Sequence, residues 1–160
     1  IFTRVLKGHI AVATNDLNKI KKGYLIDRKA RAALNKINLD YGHGTGHGVG
    51  FFSNVHEGPQ AISKFNTVEL KEGMILSNEP GYYEEGKFGI RIENLIYIKK
   101  VKNKLKFKNL TMAPIDKDLI NEKQLTPSEK EYLLKYNLEV YGNISKFLDK
   151  NEKSWLLNSI

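Results

Sequence analysis

The sequence predicts an α+β fold, and three patterns in order along the chain predict it. Apolar residues recur at helical spacing at the start, alternate with polar ones from Val68 onward, and return to helical spacing behind a capping signal near the end. The 160 residues are enough for one domain with a core of its own.

Phe2, Val5, Leu6, His9, Ile10, Val12 and Ala13 have the spacing of an amphipathic helix, and "TNDLNKIKKG" reads as its exit and a loop. A second helix places Ile26, Ala30, Ala33, Leu34 and Ile37 on one face. Glycine then occupies positions 42, 44, 46, 48 and 50, a density that no stable helix tolerates. That segment is therefore strand or irregular loop.

"MILSNEP" is a short apolar run stopped by Pro80, whose predecessor is pushed toward extended backbone. "GIRIENLIYIKK" alternates as a strand. "NKLKFKNLTMAPI" alternates again, with Leu105, Phe107 and Leu110 toward a core and "KKVKNK" as the hairpin connection. Thr126, Pro127 and Glu129 spell a helix start: cap, first-position proline and capping-box glutamate. Tyr132, Leu133, Tyr136, Val140, Ile144 and Phe147 line the face behind it, with Gly142 as a place to bend, and Trp155 is expected to anchor a short terminal helix. The expected division is 1–111 for the main unit and 112–160 for a helical extension packed on it.

The composition is that of a soluble globular protein, 41% hydrophobic and 28% charged. No run approaches the roughly 18 apolar residues of a membrane span, and no export or lipidation signal stands out. The absence of cysteine rules out disulfides and thiolate metal ligands and fits a cytoplasmic location. The net charge of +8 comes mostly from lysines spread along the chain without interleaved stacking aromatics, so a solvated surface is preferred to a nucleic-acid footprint. The chain opens at Ile1 directly into an apolar pattern, as a cut through a longer protein would.

Chemistry concentrates in "HGTGHGVGFFSNVHEGP", which holds three of the four histidines. One histidine is more often a structural residue than a ligand, but three on glycine-rich backbone favour function. His43 and His47 have an even separation, which points both the same way on extended backbone. Glu79 stands at the end of an apolar run, where a carboxylate is costly unless paired or metal-bound. Glu93 shares a strand face with Arg91, and the plain alternative there is a cross-strand ion pair. One imidazole with two carboxylates is a set suited to Mn²⁺, Co²⁺, Fe²⁺ or Zn²⁺. Arg91, Tyr82 and Tyr83 are candidates to orient such ligands.

"YGHGTGHGVG", "NVHEGP", "SNEPGYY" and "FGIRIEN", in that order, resemble the C-terminal catalytic domain of the Xaa-Pro aminopeptidases, within the pita-bread metallopeptidases. The likeness extends to "VLKGHIA" and "LTMAPID". It implies an incomplete pita-bread fold, an antiparallel sheet with flanking helices. It also implies hydrolysis of an N-terminal Xaa-Pro bond, with a peptide carrying proline in second position as substrate. By the same resemblance His47 binds metal, Glu79 binds the same ion and accepts a proton, and Glu93 bridges two ions. His43 and His56 become histidines that position substrate and stabilise the tetrahedral intermediate, with Arg91 and Tyr83 around the ligands. Two divalent ions are implied, manganese first with cobalt or zinc as alternatives, and a homodimer for the full-length enzyme.

The family's site has five protein ligands, and two are aspartates upstream of the helix that opens this sequence. Asp16, Asp27, Asp40 and Asp116 do not stand in those motifs. The expectation is therefore a half-open site with an exposed apolar sheet edge and face. Two other readings are a catalytically inactive remnant of the enzyme and a non-catalytic binding module on the same fold.

Overall fold

The computed structural model of the chain describes residues 1–52 and 54–160. Helices α1 (Phe2–Ala13) and α2 (Gly23–Asn35) form where apolar spacing predicts them. Val5, Leu6, Ile10 and Val12 of α1 and Ile26, Ala30, Ala33 and Leu34 of α2 are buried. The two helices approach closely at Gly8, where a Cβ would lie 2.5 Å from the Ala30 carbonyl oxygen. Ile37 is exposed and not part of this face. Asn38 adopts a left-handed conformation (φ 57°) and the Leu39 N–H bonds the Leu34 carbonyl, which closes α2 before Ile37.

Among the described residues seven strands follow: β1 (Gly46–His47), β2 (Ala61–Ile62), β3 (Ile75–Asn78), β4 (Gly81–Glu84), β5 (Phe88–Arg91), β6 (Asn94–Val101) and β7 (Lys104–Asn109). They form three antiparallel sheets: β1–β2, β3–β6–β7 in that order, and β4–β5.

"GIRIENLIYIKK" is two strands, not one, because its partner breaks at the same place. Pro80, between β3 and β4, has no N–H to offer a ladder. The pairs Asn78–Asn94 and Gly81–Arg91 nevertheless belong to one register. That register sets Glu79 opposite Glu93 and Pro80 opposite Ile92, and the Ile92 N–H reaches the Pro80 carbonyl at 3.3 Å. Alternation runs unbroken through the gap, with Ile92, Asn94, Ile96 and Ile98 all buried. Hence the pattern carried no sign of it.

β6 turns into β7 through Lys102 and Asn103, both left-handed (φ 48° and 65°), as a two-residue type I′ hairpin requires. Phe107 is buried and Leu105 packs beside it. Leu110 faces outward: it lies past the end of β7, where its N–H bonds the Leu95 carbonyl at 2.8 Å.

Helix α3 (Pro127–Ile144) opens with the expected capping box, and Gly142 does not interrupt it. Phe147 is exposed because it falls beyond α3 in a 3₁₀ turn, Ser145–Phe147. Helix α4 (Lys150–Ser159) starts at the Asp149 cap, and that phase turns Leu156 inward (2% exposed) and Trp155 outward (63%). Leu156, not Trp155, is the anchor.

Two core clusters result among the described residues. One joins α1 and α2 to the C-terminal helices through Val5, Leu6, Leu34, Tyr136, Val140 and Leu156. The other seats α1 and α2 on the three-stranded sheet through Val12, Ile26, Leu76, Ile96 and Ile98. Each fully buried Leu or Ile contributes about 1.5–3 kcal/mol.

Candidate functional site

Strand β1 crosses β3 at closest approach where Gly46 stands: a Cβ there would lie 2.0 Å from the Ser77 carbonyl oxygen. Only glycine permits this crossing. The His47 N–H donates to Ser77 Oγ at 2.9 Å and the Glu79 N–H to the Thr45 carbonyl at 2.8 Å. The two strand ends are thereby locked, and His47 Nε2 comes 3.2 Å from Glu79 Oε1. Ser77 Oγ donates to the same Glu79 oxygen at 2.9 Å.

His47 Nδ1 lies 2.9 Å from the Gly48 carbonyl, which can only accept, so Nδ1 carries a proton. In the neutral ring Nε2 then presents a lone pair to a carboxylate oxygen. Two acceptors at that distance leave a place for a proton or a cation between them. This is the donor arrangement of a metal-binding histidine whose other nitrogen is fixed by a backbone carbonyl.

Across the ladder Glu93 faces Glu79 with Arg91 between them. Arg91 Nε is 3.3 Å from Glu93 Oε2 and 3.9 Å from Glu79 Oε2. Like charges directly opposite one another are unfavourable, and the guanidinium offsets that. The donor set therefore suits a hard divalent ion in kind but does not complete a site in number. Among the described residues no group of three or more His, Asp or Glu side chains is arranged to hold a metal ion.

His43, His47, His56, Glu79 and Arg91 line one open cleft of about 340 Å³. The His47 and His56 rings lie 4.0 Å apart, centroid to centroid. His43 Nδ1 bonds the Gly44 carbonyl at 2.8 Å, which leaves Nε2 to accept from the Tyr83 hydroxyl at 3.0 Å. Tyr83 and Glu93 thus reach the cleft through His43 and Arg91. Tyr82, one residue out of phase, turns away to pack on Phe88 and the first core cluster. His43 and His47 do share the cleft, although bent backbone and not a continuous strand brings them there.

Sequence reasoning missed what holds the glycine segment. Arg31, on the buried face of α2, donates to Asp27 Oδ2 (2.8 Å), Asp40 Oδ1 (2.6 Å), the Tyr41 carbonyl (2.7 Å) and the His43 carbonyl (2.6 Å). Thr45 Oγ1 donates to Asp27 Oδ1 at 2.6 Å. Burial pushes the Tyr41 hydroxyl well above the usual tyrosine range. Burial also works against ionisation of Asp40, but hydrogen bonds from Arg31, the Tyr41 N–H and Lys64 outweigh it and hold that carboxyl below its ordinary value. The available signal was an Asp and an Arg four residues apart, each next to a residue of the apolar stripe.

Imidazole and carboxylate donors around an open cleft are the equipment of a metal-dependent hydrolase. Residues 1–100 match metallopeptidase family M24, and residues 103–160 match the C-terminal region of peptidase M24. The chain belongs to the M24 metallopeptidase family. It is 49% identical to a probable Xaa-Pro aminopeptidase P of Coprinopsis cinerea, over 97% of this chain and 27% of that protein. It is 44% identical to aminopeptidase P2 of Arabidopsis thaliana, over 99% of this chain and 24% of the relative. The chain thus spans about a quarter of the length of the curated relatives it matches.

Among solved structures, the X-prolyl aminopeptidase of Caenorhabditis elegans, described as a cytosolic enzyme with a di-nuclear active site, superposes with a TM-score of 0.87 at 38% identity. The match covers 99% of this chain and 28% of that one. The X-Pro aminopeptidase of Thermotoga maritima gives 0.59 at 36% identity, over 71% of this chain and 31% of that one. The expected α+β class and partial pita-bread fold hold.

Proposed function

We propose that this chain carries the C-terminal part of the catalytic domain of a metal-dependent aminopeptidase, which hydrolyses the bond between an N-terminal residue and proline. The convergence of His43, His47, His56, Glu79 and Arg91 on one cleft carries the reading. Residues 1–111 form the catalytic portion and 112–160 the helical extension.

His47, Glu79 and Glu93 are the metal ligands this chain contributes, and two aspartates from outside it complete a site for two divalent ions, manganese first. When bound, such ions polarise the scissile carbonyl and lower the pKa of a water. The chain's own residues do the rest. Glu79 accepts the proton of the attacking water. His56, on the open rim beside His47, offers a hydrogen bond to the developing oxyanion. His43, with its Nε2 occupied by Tyr83, positions the substrate. Arg91 keeps the two facing carboxylates tolerable to each other.

The substrate is a peptide with proline in second position. The reading includes a cytosolic enzyme, a homodimer at full length, and no nucleic-acid or membrane partner. No described helix is long and apolar enough to cross a membrane.

The test is release of the N-terminal amino acid from an Xaa-Pro peptide by the purified chain with Mn²⁺, beside a Glu79→Gln control. Turnover abolished by the substitution supports the reading. Folded protein that turns over nothing assigns activity to a longer assembly that supplies the two aspartates, in keeping with the incomplete donor set among the described residues. A salt-sensitive affinity for DNA or RNA would instead point to a non-catalytic binding module.

A further inference from the structure

Helix α2 buries two charges that the peptidase reading leaves without a task. The Asp27 and Arg31 side chains are 2% and 4% exposed. Desolvating such a pair is costly, and apolar residues of similar size would serve packing as well. The directions of the bonds indicate another use. One guanidinium group binds the carbonyls of Tyr41 and His43 and the Asp40 carboxylate, while Asp27 holds its Nε and, through the other oxygen, the Thr45 hydroxyl. Every residue so held belongs to α2 or to the 40–45 segment that carries His43.

That segment has little stiffness of its own. Gly42 and Gly44 flank His43, and a Cβ at Gly42 would meet nothing within 4 Å. The fork of Arg31 fixes the carbonyls on both sides of Gly42, and Thr45 fixes the far side of Gly44. We propose that Arg31, clamped by Asp27, is a positioning residue for His43, holding its ring where Nε2 meets the Tyr83 hydroxyl at 3.0 Å. A lysine cannot substitute, because a point ammonium does not span two carbonyls and two carboxylates as a planar fork does. The consequence for turnover rests on the peptidase reading. The His43–Tyr83 contact does not.

The experiment compares the chain with Arg31→Lys and Thr45→Val by NMR, following the His43–Tyr83 ring contact and the ring nitrogen shifts. The buried ring of His9 serves as the internal control for the fold. Arg31→Lys is expected to lose the His43–Tyr83 contact while the His9 signals stay in place. On an Xaa-Pro peptide kcat is expected to fall about tenfold or more with little change in KM, as for a displaced catalytic group. A contact that survives both substitutions overturns the proposal, and so does a loss accompanied by equal shifts at His9. Should Arg31→Lys fail to fold, Thr45→Val decides by the same contact. A chain without turnover would assign the activity to a longer assembly, and the NMR comparison would still decide the positioning role.

Discussion

The two sides of the cleft are held by different physics. The imidazole side is a glycine segment with almost no ladder, wired to α2 by ions: Arg31, Asp27 and Asp40. The carboxylate side is a pair of strands in register, pinned to α1 by a neutral group. His9 Nδ1 donates to the Ile92 carbonyl at 3.2 Å, next to Glu93, and the Asn78 amide donates to the His9 carbonyl at 3.0 Å, next to Glu79. Where backbone pairing sets the geometry, two neutral hydrogen bonds suffice. Where it does not, a charged network is spent instead.

The ionic side should break hardest. Asp27→Ala leaves Arg31 buried with part of its charge uncompensated and frees Thr45, a class of change that costs about 3–5 kcal/mol. Retention of Asp40 places the expectation at the lower end of that range. Urea denaturation of the variant against the parent chain measures it. A loss under about 1 kcal/mol would mean the network is dispensable to the fold.

The neutral side should yield first to acid. Burial drives the His9 pKa from 6.5 to about 4, against the raising effect of its hydrogen bond to Ile92. The native chain therefore keeps this ring neutral where the unfolded chain protonates it. The contribution is fully present above about pH 6.5 and is lost as pH falls toward 4. Across that window stability should fall by as much as about 3 kcal/mol, and the slope should become much shallower in His9→Gln. The Asp40 carboxyl, held below its usual value of 3.8, keeps the ionic side charged through the whole interval. Unfolding free energies at pH 7, 5.5 and 4.5, with and without the substitution, separate the two.

This division also explains what was legible in the sequence. Helical spacing named the buried residues of α1 and α2, and the capping signal named the start of α3, because each is a local pattern with a local cause. The candidate site residues were legible as types on special backbone: three histidines among glycines, and one glutamate beside a proline. The break between β5 and β6 was not legible, because its cause is Pro80 on the partner strand and the alternation passes through it undisturbed. Nor was the task of Arg31, whose partners include backbone carbonyls ten and twelve residues away. Phe147 was misassigned because α3 ends at Ile144, and Trp155 by one residue of helix phase, both of which the local pattern leaves open.

The smallest effect tests the carboxylate pair itself. Arg91 is half exposed, so its ion pairs are screened by water, and Arg91→Ala should change stability by less than about 1 kcal/mol. The sign of the response to metal is more informative than its size. Without the guanidinium, Glu79 stands opposite Glu93 with no cation between them, and a divalent ion becomes the available substitute. Added Mn²⁺ should therefore raise the melting temperature of Arg91→Ala by more than that of the parent chain, and the excess should disappear when Glu93→Gln is added to the variant. Equal responses in all three chains would mean that the two carboxylates, although set opposite by the register, do not share an ion.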